Sequence, residues 1–286
     1  MQNESSQRKD PTELSRLQAK PFVKWVGGKT QLLPELLKRV PQSFDTYYEP
    51  FIGGGALFFA LQPRKAVLSD LNNELIDCYN TIRSNVEPLV FALGKHIHEE
   101  AYFYQLREQD RSEEYSSWSR IDKASRLLYL NKTCYNGLYR VNSKGQFNTP
   151  FGSYKNPRIV DAENLRACSQ ILANTELRCC SFEESLANTQ KGDFVYIDPP
   201  YVPLSDTAYF TSYSKDGFGP DAQRRLRDTC IELDKKGVFF LASNSSTDFV
   251  QELYSQFKIE GVQASRAINS KASKRGKIEE FLISNY

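Results

Sequence analysis

The apolar and polar positions of the chain fall into two regimes. Near both ends, short apolar runs are closed by glycine, proline or an acid. Pro21 to Lys29 is a short extended run broken by a glycine pair, and Thr30 is placed to cap a helix from Leu32 to Arg39. Thr46 to Phe51 predicts a strand ending in Gly53-Gly54-Gly55, followed by a helical run from Ala56 to Leu61. Lys65 to Leu68 predicts a second buried strand that ends at Ser69-Asp70. Strand, glycine turn, helix, strand and acid, in that order, open an α/β sheet. Further strands are predicted at Leu177–Phe182, Asp193–Ile197, Val238–Ala242, Lys258–Ala264 and Ile278–Ser284. Between Asn72 and about Ile171 the spacing becomes helical, as in Leu75-Ile76-Tyr79-Ile82, Leu89-Val90-Leu93 and Ile121-Ala124-Leu127-Leu128. A loop-rich stretch, Thr133 to Arg158, interrupts it and contains a hairpin expected around Asn142-Ser143-Lys144-Gly145. The expected organisation is a flexible tail (1–20), a sheet domain made of 21–72 and 175–286, and an insertion (73–174) that splits it.

Composition adds limits. The chain has 286 residues, 40% of them hydrophobic and 25% charged, which excludes wholesale disorder. No run is apolar enough for a membrane span, and the polar N-terminus lacks a signal-peptide core, so a cytoplasmic protein without a membrane partner is expected. The six cysteines form no Cys-x-x-Cys pair and are expected as reduced, mostly buried thiols. The two histidines, His96 and His98, are too few and badly spaced for a zinc site; no metal is expected.

The net charge is only +2, but its distribution is uneven. Trp118 to Arg158 carries Arg120, Lys123, Arg126, Lys132, Arg140, Lys144, Lys155 and Arg158 against Asp122, a net +7. Ser265 to Lys277 carries a net +5, leaving −10 for the rest. Two basic islands on an acidic protein suit a polyanion track, although either one alone reads equally well as a solvated face. The first island interleaves Tyr129, Tyr135, Tyr139, Phe147, Phe151 and Tyr154, as a base-reading surface would.

The sharpest chemical signal is Asp198-Pro199-Pro200-Tyr201, which follows a buried strand. An aromatic exocyclic amine is a poor nucleophile because its lone pair is delocalised into the ring. Acceptors on its N–H bonds favour the pyramidal form and take up charge as a methyl arrives. Asp198 supplies a carboxylate at the strand edge where open α/β sheets bind ligands. Pro199 has a fixed φ and no N–H, which keeps its carbonyl available as a second acceptor, and Tyr201 can stack on a planar base. The plain alternative is a strand stopped by two prolines and covered by a tyrosine. The glycine run after Phe51 lacks the third glycine of a dinucleotide-binding loop, Phe58 standing there, so a ligand without pyrophosphate fits better. Asp70 is placed for ribose hydroxyls, or else caps the helix that follows. Trp25 can lie along a ligand and Lys29 can pair with a carboxylate; the alternative is a core tryptophan and a surface lysine.

From about Lys20 to Tyr286 the chain resembles the Dam-type DNA adenine-N6 methyltransferases, which use S-adenosylmethionine (AdoMet) and in many members modify GATC. The resemblance rests on Lys24-Trp-x-Gly-Gly-Lys29, Glu49-Pro-Phe-x-Gly-Gly-Gly55, Ser69-Asp-Leu-Asn72, Tyr135-Asn-Gly-Leu-Tyr-Arg140, Asp198 to Ser205, and Ser243-Asn-Ser245, in that order. It implies an α/β, Rossmann-like AdoMet-dependent methyltransferase fold with a mixed, mostly parallel seven-stranded sheet and an inserted, mainly helical DNA-recognition domain with a hairpin. It implies AdoMet contacts at Trp25, Lys29, Phe51, Gly53, Gly55, Asp70 and Asp198, and a flipped adenine held by Asp198, Pro199, Pro200 and Tyr201. Tyr135, Asn136, Leu138, Arg140 and Tyr154 would touch double-stranded DNA, with Arg140 the choice for a guanine contact. Ser153 stands where the family's Gly-Arg-Tyr-Lys stretch has arginine, which bears on strict GATC specificity. A monomer or weak dimer, and a restriction endonuclease acting on the same site, complete the expected partners. The alternatives are cytosine-N4, glutamine or RNA methylation, and a DNA-binding regulator on an inactive scaffold.

Overall fold

The computed structural model describes residues 17–201, 218–265 and 277–286. Most of the expected tail, the Pro-Leu-Ser after Tyr201 and the second basic island up to Gly276 lie outside these residues.

Seven strands form one sheet in the order β3-β2-β1-β4-β5-β7-β6. They are β1 (Tyr47–Glu49), β2 (Ala66–Asp70), β3 (Thr175–Cys179), β4 (Phe194–Ile197), β5 (Phe239–Ser245), β6 (Lys258–Ser265) and β7 (Lys277–Ser284). The first five are mutually parallel, and β7 lies antiparallel between β5 and β6. The mixed, mostly parallel Rossmann-like sheet is therefore present.

The central strands β1, β2, β4 and β5 are buried almost throughout because helices cover both faces. Tyr47, Phe194, Tyr196 and Leu241 face α2 (Ala56–Leu61), α3 (Asn73–Leu93), α5 (Arg120–Thr133) and α6 (Ala162–Leu172). Tyr48, Val195, Ile197, Phe240 and Ala242 face α7 (Phe182–Leu186), α8 (Pro220–Lys236) and α9 (Asp248–Leu253). Consecutive strand residues thus serve opposite cores, as a period of two requires. The first core continues from the sheet through Leu75, Tyr79 and Ile82 of α3 to Leu127 and Leu130 of α5 and Leu165 of α6. Pro88 lies inside α3, where its missing N–H accompanies a break at Asn85 (φ −139°, ψ 38°).

Some boundaries differ from the pattern. The strand expected at Leu177–Phe182 ends at Cys179, because Ser181 and Glu184 form a reciprocal capping box that commits Phe182 to α7. Thr30 caps nothing: α1 (Leu33–Leu37) starts after Leu32, with Pro34 in its first turn. The hairpin is a small one: Val141 bridges Phe147, and Asn142 Oδ1 accepts from the Lys144 and Gln146 N–H groups. The six cysteines are free; Cys78, Cys134, Cys168 and Cys230 are buried, Cys179 is exposed and Cys180 is half-buried. No described helix is long and apolar enough to cross a membrane.

Candidate active site

The sheet order reverses between β1 and β4, which lie side by side with Tyr47 opposite Phe194. A crevice opens beyond the strand ends at such a point. The loop after β1 carries the glycines and the loop after β4 carries Asp198.

Asp198 is largely buried and sits on an ammonium: Lys29 Nζ is 2.8 Å from its Oδ1, and the Ser243 hydroxyl donates to the same oxygen at 3.0 Å. Burial pushes the Asp198 carboxyl above the usual carboxylate range, and Lys29 opposes that push. Lys29 is itself only 5% exposed; its ammonium also donates to the Gly27 carbonyl at 2.7 Å and lies 4.6 Å from the centre of the Tyr201 ring. Lys29 is therefore not a surface lysine. The Tyr201 hydroxyl donates to Glu280 Oε2 at 2.6 Å. Pro199 is buried and Pro200 exposed. Beneath them, the Tyr196 and Ser243 hydroxyls are 3.2 Å apart, and Tyr47 donates to the buried Glu49 at 2.7 Å. Burial holds the Glu49 carboxyl well above its ordinary value.

The glycine loop is tight for reasons visible atom by atom. Gly53 has φ +45°, and a Cβ there would lie 2.9 Å from Trp25 Cδ1; Gly55 has φ +68°, with the Tyr79 hydroxyl 2.8 Å from its would-be Cβ. Tyr79 donates to the Gly53 carbonyl at 3.0 Å. Asp70 accepts from Gly53 N–H at 3.2 Å and from Asn72 N–H at 2.9 Å. Asn72, not Asp70, caps α3, its side chain accepting from Leu75 N–H. Burial raises the Asp70 carboxyl. Phe51 points to the second core, with ring centres 5.6 Å from Phe182 and 5.6 Å from Phe218.

Trp25 stacks on Tyr139, ring centres 4.7 Å apart and planes 24° apart. Tyr139 donates to Glu74 at 2.9 Å, and Glu74 also accepts from Tyr115 at 3.0 Å. Arg126, only 1% exposed, lies 2.7 Å from Asp110 and 3.5 Å from Glu74. Asp110 also accepts the Phe147 N–H of the hairpin at 2.7 Å. The buried Asn131 exchanges hydrogen bonds with both backbone groups of Lys24 and donates to the Gly137 carbonyl. These contacts tie the Lys24-Trp25 segment to α5 and the following loops.

The first basic island needs correcting. Arg126 is a core cation held by acids, and burial lowers the Lys132 ammonium. Of the interleaved aromatics, Tyr129, Tyr139 and Phe147 are buried, Phe151 and Tyr154 half-buried, and Tyr135 exposed. Composition counts cations and rings but not their depth. Arg140 is exposed and braced, donating to Asn148 Oδ1 at 2.7 Å and to the Asn148 carbonyl at 3.3 Å. Asn136 is exposed in a left-handed conformation (φ +56°), Leu138 is half-buried, and the Tyr154 hydroxyl accepts from Lys24 at 3.3 Å.

The structure thus gathers Trp25, Lys29, Gly53, Gly55, Asp70, Asp198 and Tyr201 around the strand ends, with Phe51 turned away behind them. Tyr135, Asn136, Leu138, Arg140 and Tyr154 lie on the loops after α5. Sequence reasoning assigned nothing to Glu49, Glu74 or Glu280, and read Tyr139 as a base-reading aromatic, whereas it is buried against Trp25. Tyr139 and Glu49 stood inside quoted motifs; Glu280 stood in a strand with no signal beyond its charge.

Residues 25–268 match the D12 class of N6 adenine-specific DNA methyltransferases. The chain belongs to this family, whose members transfer methyl from AdoMet to adenine N6 in DNA. It is 47% identical to the Type II methyltransferase M1.LlaDCHI of Lactococcus lactis subsp. cremoris, over 95% of this chain and 97% of that one. Identity to the Type II methyltransferase M.MjaIII of Methanocaldococcus jannaschii is 41%, over 94% and 100% of the two chains. The DNA adenine methylase of Escherichia coli K12 is 34% identical, over 91% and 93%.

Proposed function

We propose that the crevice beyond β1 and β4 methylates a flipped-out adenine within GATC in duplex DNA. The observation that carries the reading is the buried Lys29–Asp198–Ser243 cluster beside Tyr201 at the sheet's reversal point. The residues suit AdoMet: a tight glycine loop beside Trp25, and an Asp70 carboxylate anchored by two backbone N–H groups with lone pairs left for ribose hydroxyls. Trp25, Lys29, Gly53, Gly55, Asp70 and Asp198 would hold it; of Phe51, whose ring packs on Phe182 and Phe218, only the backbone would pass alongside it. When bound it supplies a methyl carbon on a sulfonium, and the new N–C bond forms as the C–S bond breaks.

The protein's own part is positioning and charge. Lys29 and Ser243 occupy one oxygen of Asp198 and so aim the carboxylate. Asp198 and the Pro199 carbonyl accept the two N–H bonds of the amine, which localises its lone pair for in-line attack. Tyr201 stacks on the extruded base, offsetting part of the few kcal/mol that flipping costs. The amine releases one proton to solvent as the methyl is gained.

Residues 73–174 form the DNA-recognition insertion in this reading, and Tyr135, Asn136, Leu138, Arg140 and Tyr154 face the duplex. The brace from Asn148 presents the Arg140 guanidinium in a fixed plane, which suits bidentate contact with guanine O6 and N7. Relatives named Type II methyltransferases favour work beside a restriction endonuclease acting on the same sequence. Mapping methylated adenines in DNA from cells expressing the protein tests the reading: methylation confined to GATC supports it, and adenines methylated at another sequence overturn the specificity.

A further inference from the structure

Tyr201 is fixed at two places. Its hydroxyl donates to Glu280 at 2.6 Å, the short distance characteristic of an O–H donor on a carboxylate. Its ring lies 4.6 Å from the Lys29 ammonium, itself bonded to Asp198 and to the Gly27 carbonyl. Glu280 belongs to β7, where Ser245 of β5 and Val262 of β6 flank it. The half-buried Glu280 is on the Tyr201 side of the strand, while its neighbour Glu279 is exposed and accepts from Ser246.

A tyrosine that merely covered a strand end would be served as well by a backbone carbonyl. Here a second carboxylate sits close enough to work against ionisation of Asp198, an unfavourable placement unless Tyr201 needs that partner. We propose that Glu280 is a positioning residue for methyl transfer: it locks the plane of the Tyr201 ring against which the target adenine stacks. By taking the phenolic hydrogen bond it also enriches the ring face presented to cations, including the amine as it gains positive charge. The inference rests on Tyr201 as the stacking partner of the base.

The test compares Glu280→Ala, Glu280→Gln, Tyr201→Phe, Tyr201→Ala and the Glu280→Ala/Tyr201→Phe double variant. Two quantities are read: steady-state methyl transfer to a GATC duplex, and emission from a duplex with 2-aminopurine at the target position. Glu280→Ala is expected to lower kcat by ~10- to 100-fold, the scale of a lost orientation, with the KM for AdoMet unchanged. It should also brighten the flipped 2-aminopurine, because the ring no longer holds the stacked, quenching geometry. Glu280→Gln, whose amide oxygen can still accept the hydroxyl bond, should recover most of the loss. In the Tyr201→Phe background, Glu280→Ala should cost nothing further. An equal loss in both backgrounds, or an unchanged kcat in Glu280→Ala while Tyr201→Ala is crippled, overturns the role of Glu280 alone. An unchanged kcat in Tyr201→Ala overturns the stacking reading itself.

Discussion

At the scale of single residues, two buried cations are held by acids among the described residues. One is Lys29 on Asp198; the other is Arg126 between Asp110 and Glu74. A buried pair is weak evidence for stability as a unit, but removing one partner strands the other. Arg126→Met should therefore destabilise the fold by about 3 kcal/mol, read by urea unfolding, because Glu74 loses its cation and the buried Asp110 keeps only Arg111, 3.0 Å away. A loss under about 1 kcal/mol would mean that Arg111 alone compensates Asp110. Arg140 belongs to the opposite category, an exposed cation with a fixed plane. Arg140→Ala should leave stability unchanged and relax one base pair of the recognition site by about 1–3 kcal/mol, measured by methylation of single-substituted duplexes. A uniform loss across sequences would make it a phosphate contact. The residues most readable from sequence were those whose chemistry is scarce, such as Asp198 before two prolines, which sits on Lys29 and Ser243. Glu280 and Glu74 stayed hidden because a glutamate on a strand or helix resembles any surface acid until a tyrosine is found pointing at it.

At the scale of elements, spacing located every strand and misjudged ends wherever a side chain captured the backbone. The Ser181–Glu184 box shortened β3, and Pro34 displaced the start of α1. Depth was the larger error: α5 reads as basic and aromatic, yet Arg126, Tyr129 and Leu130 line its core face. The packing of α4 (Glu100–Glu108) and α5 yields a pH signature. His96 bonds Tyr102 at 2.6 Å and Ser125 at 2.8 Å, and burial lowers its pKa to about 4. A base whose folded pKa lies below its unfolded value of about 6.5 leaves the unfolded chain binding more protons between those limits. His96 is therefore neutral stabilising cargo near pH 7, and stability should fall as pH drops from about 6.5 toward 4. Thermal melts of wild type and His96→Gln across that range check this: the variant's slope should be shallower. Parallel slopes would show that His96 is protonated in the fold without penalty.

At the scale of the whole molecule, the chain leaves the sheet after β2 and returns to it at β3. The excursion carries Tyr139 back onto Trp25 and lets Asn131 grip Lys24. Those long-range contacts have no sequence signature; only the order of motifs hints that the two segments must meet. The strand ends converge on Asp198, and the direct trial of that convergence is single-turnover transfer of labelled methyl from AdoMet to a GATC duplex by wild type and Asp198→Ala. The account predicts one labelled N6-methyladenine per target strand with wild type, and a rate at least ~100-fold lower with the variant while the variant still binds duplex DNA. Equal rates for the two proteins would contradict it, and the carboxylate at the end of β4 would lose its place in the chemistry.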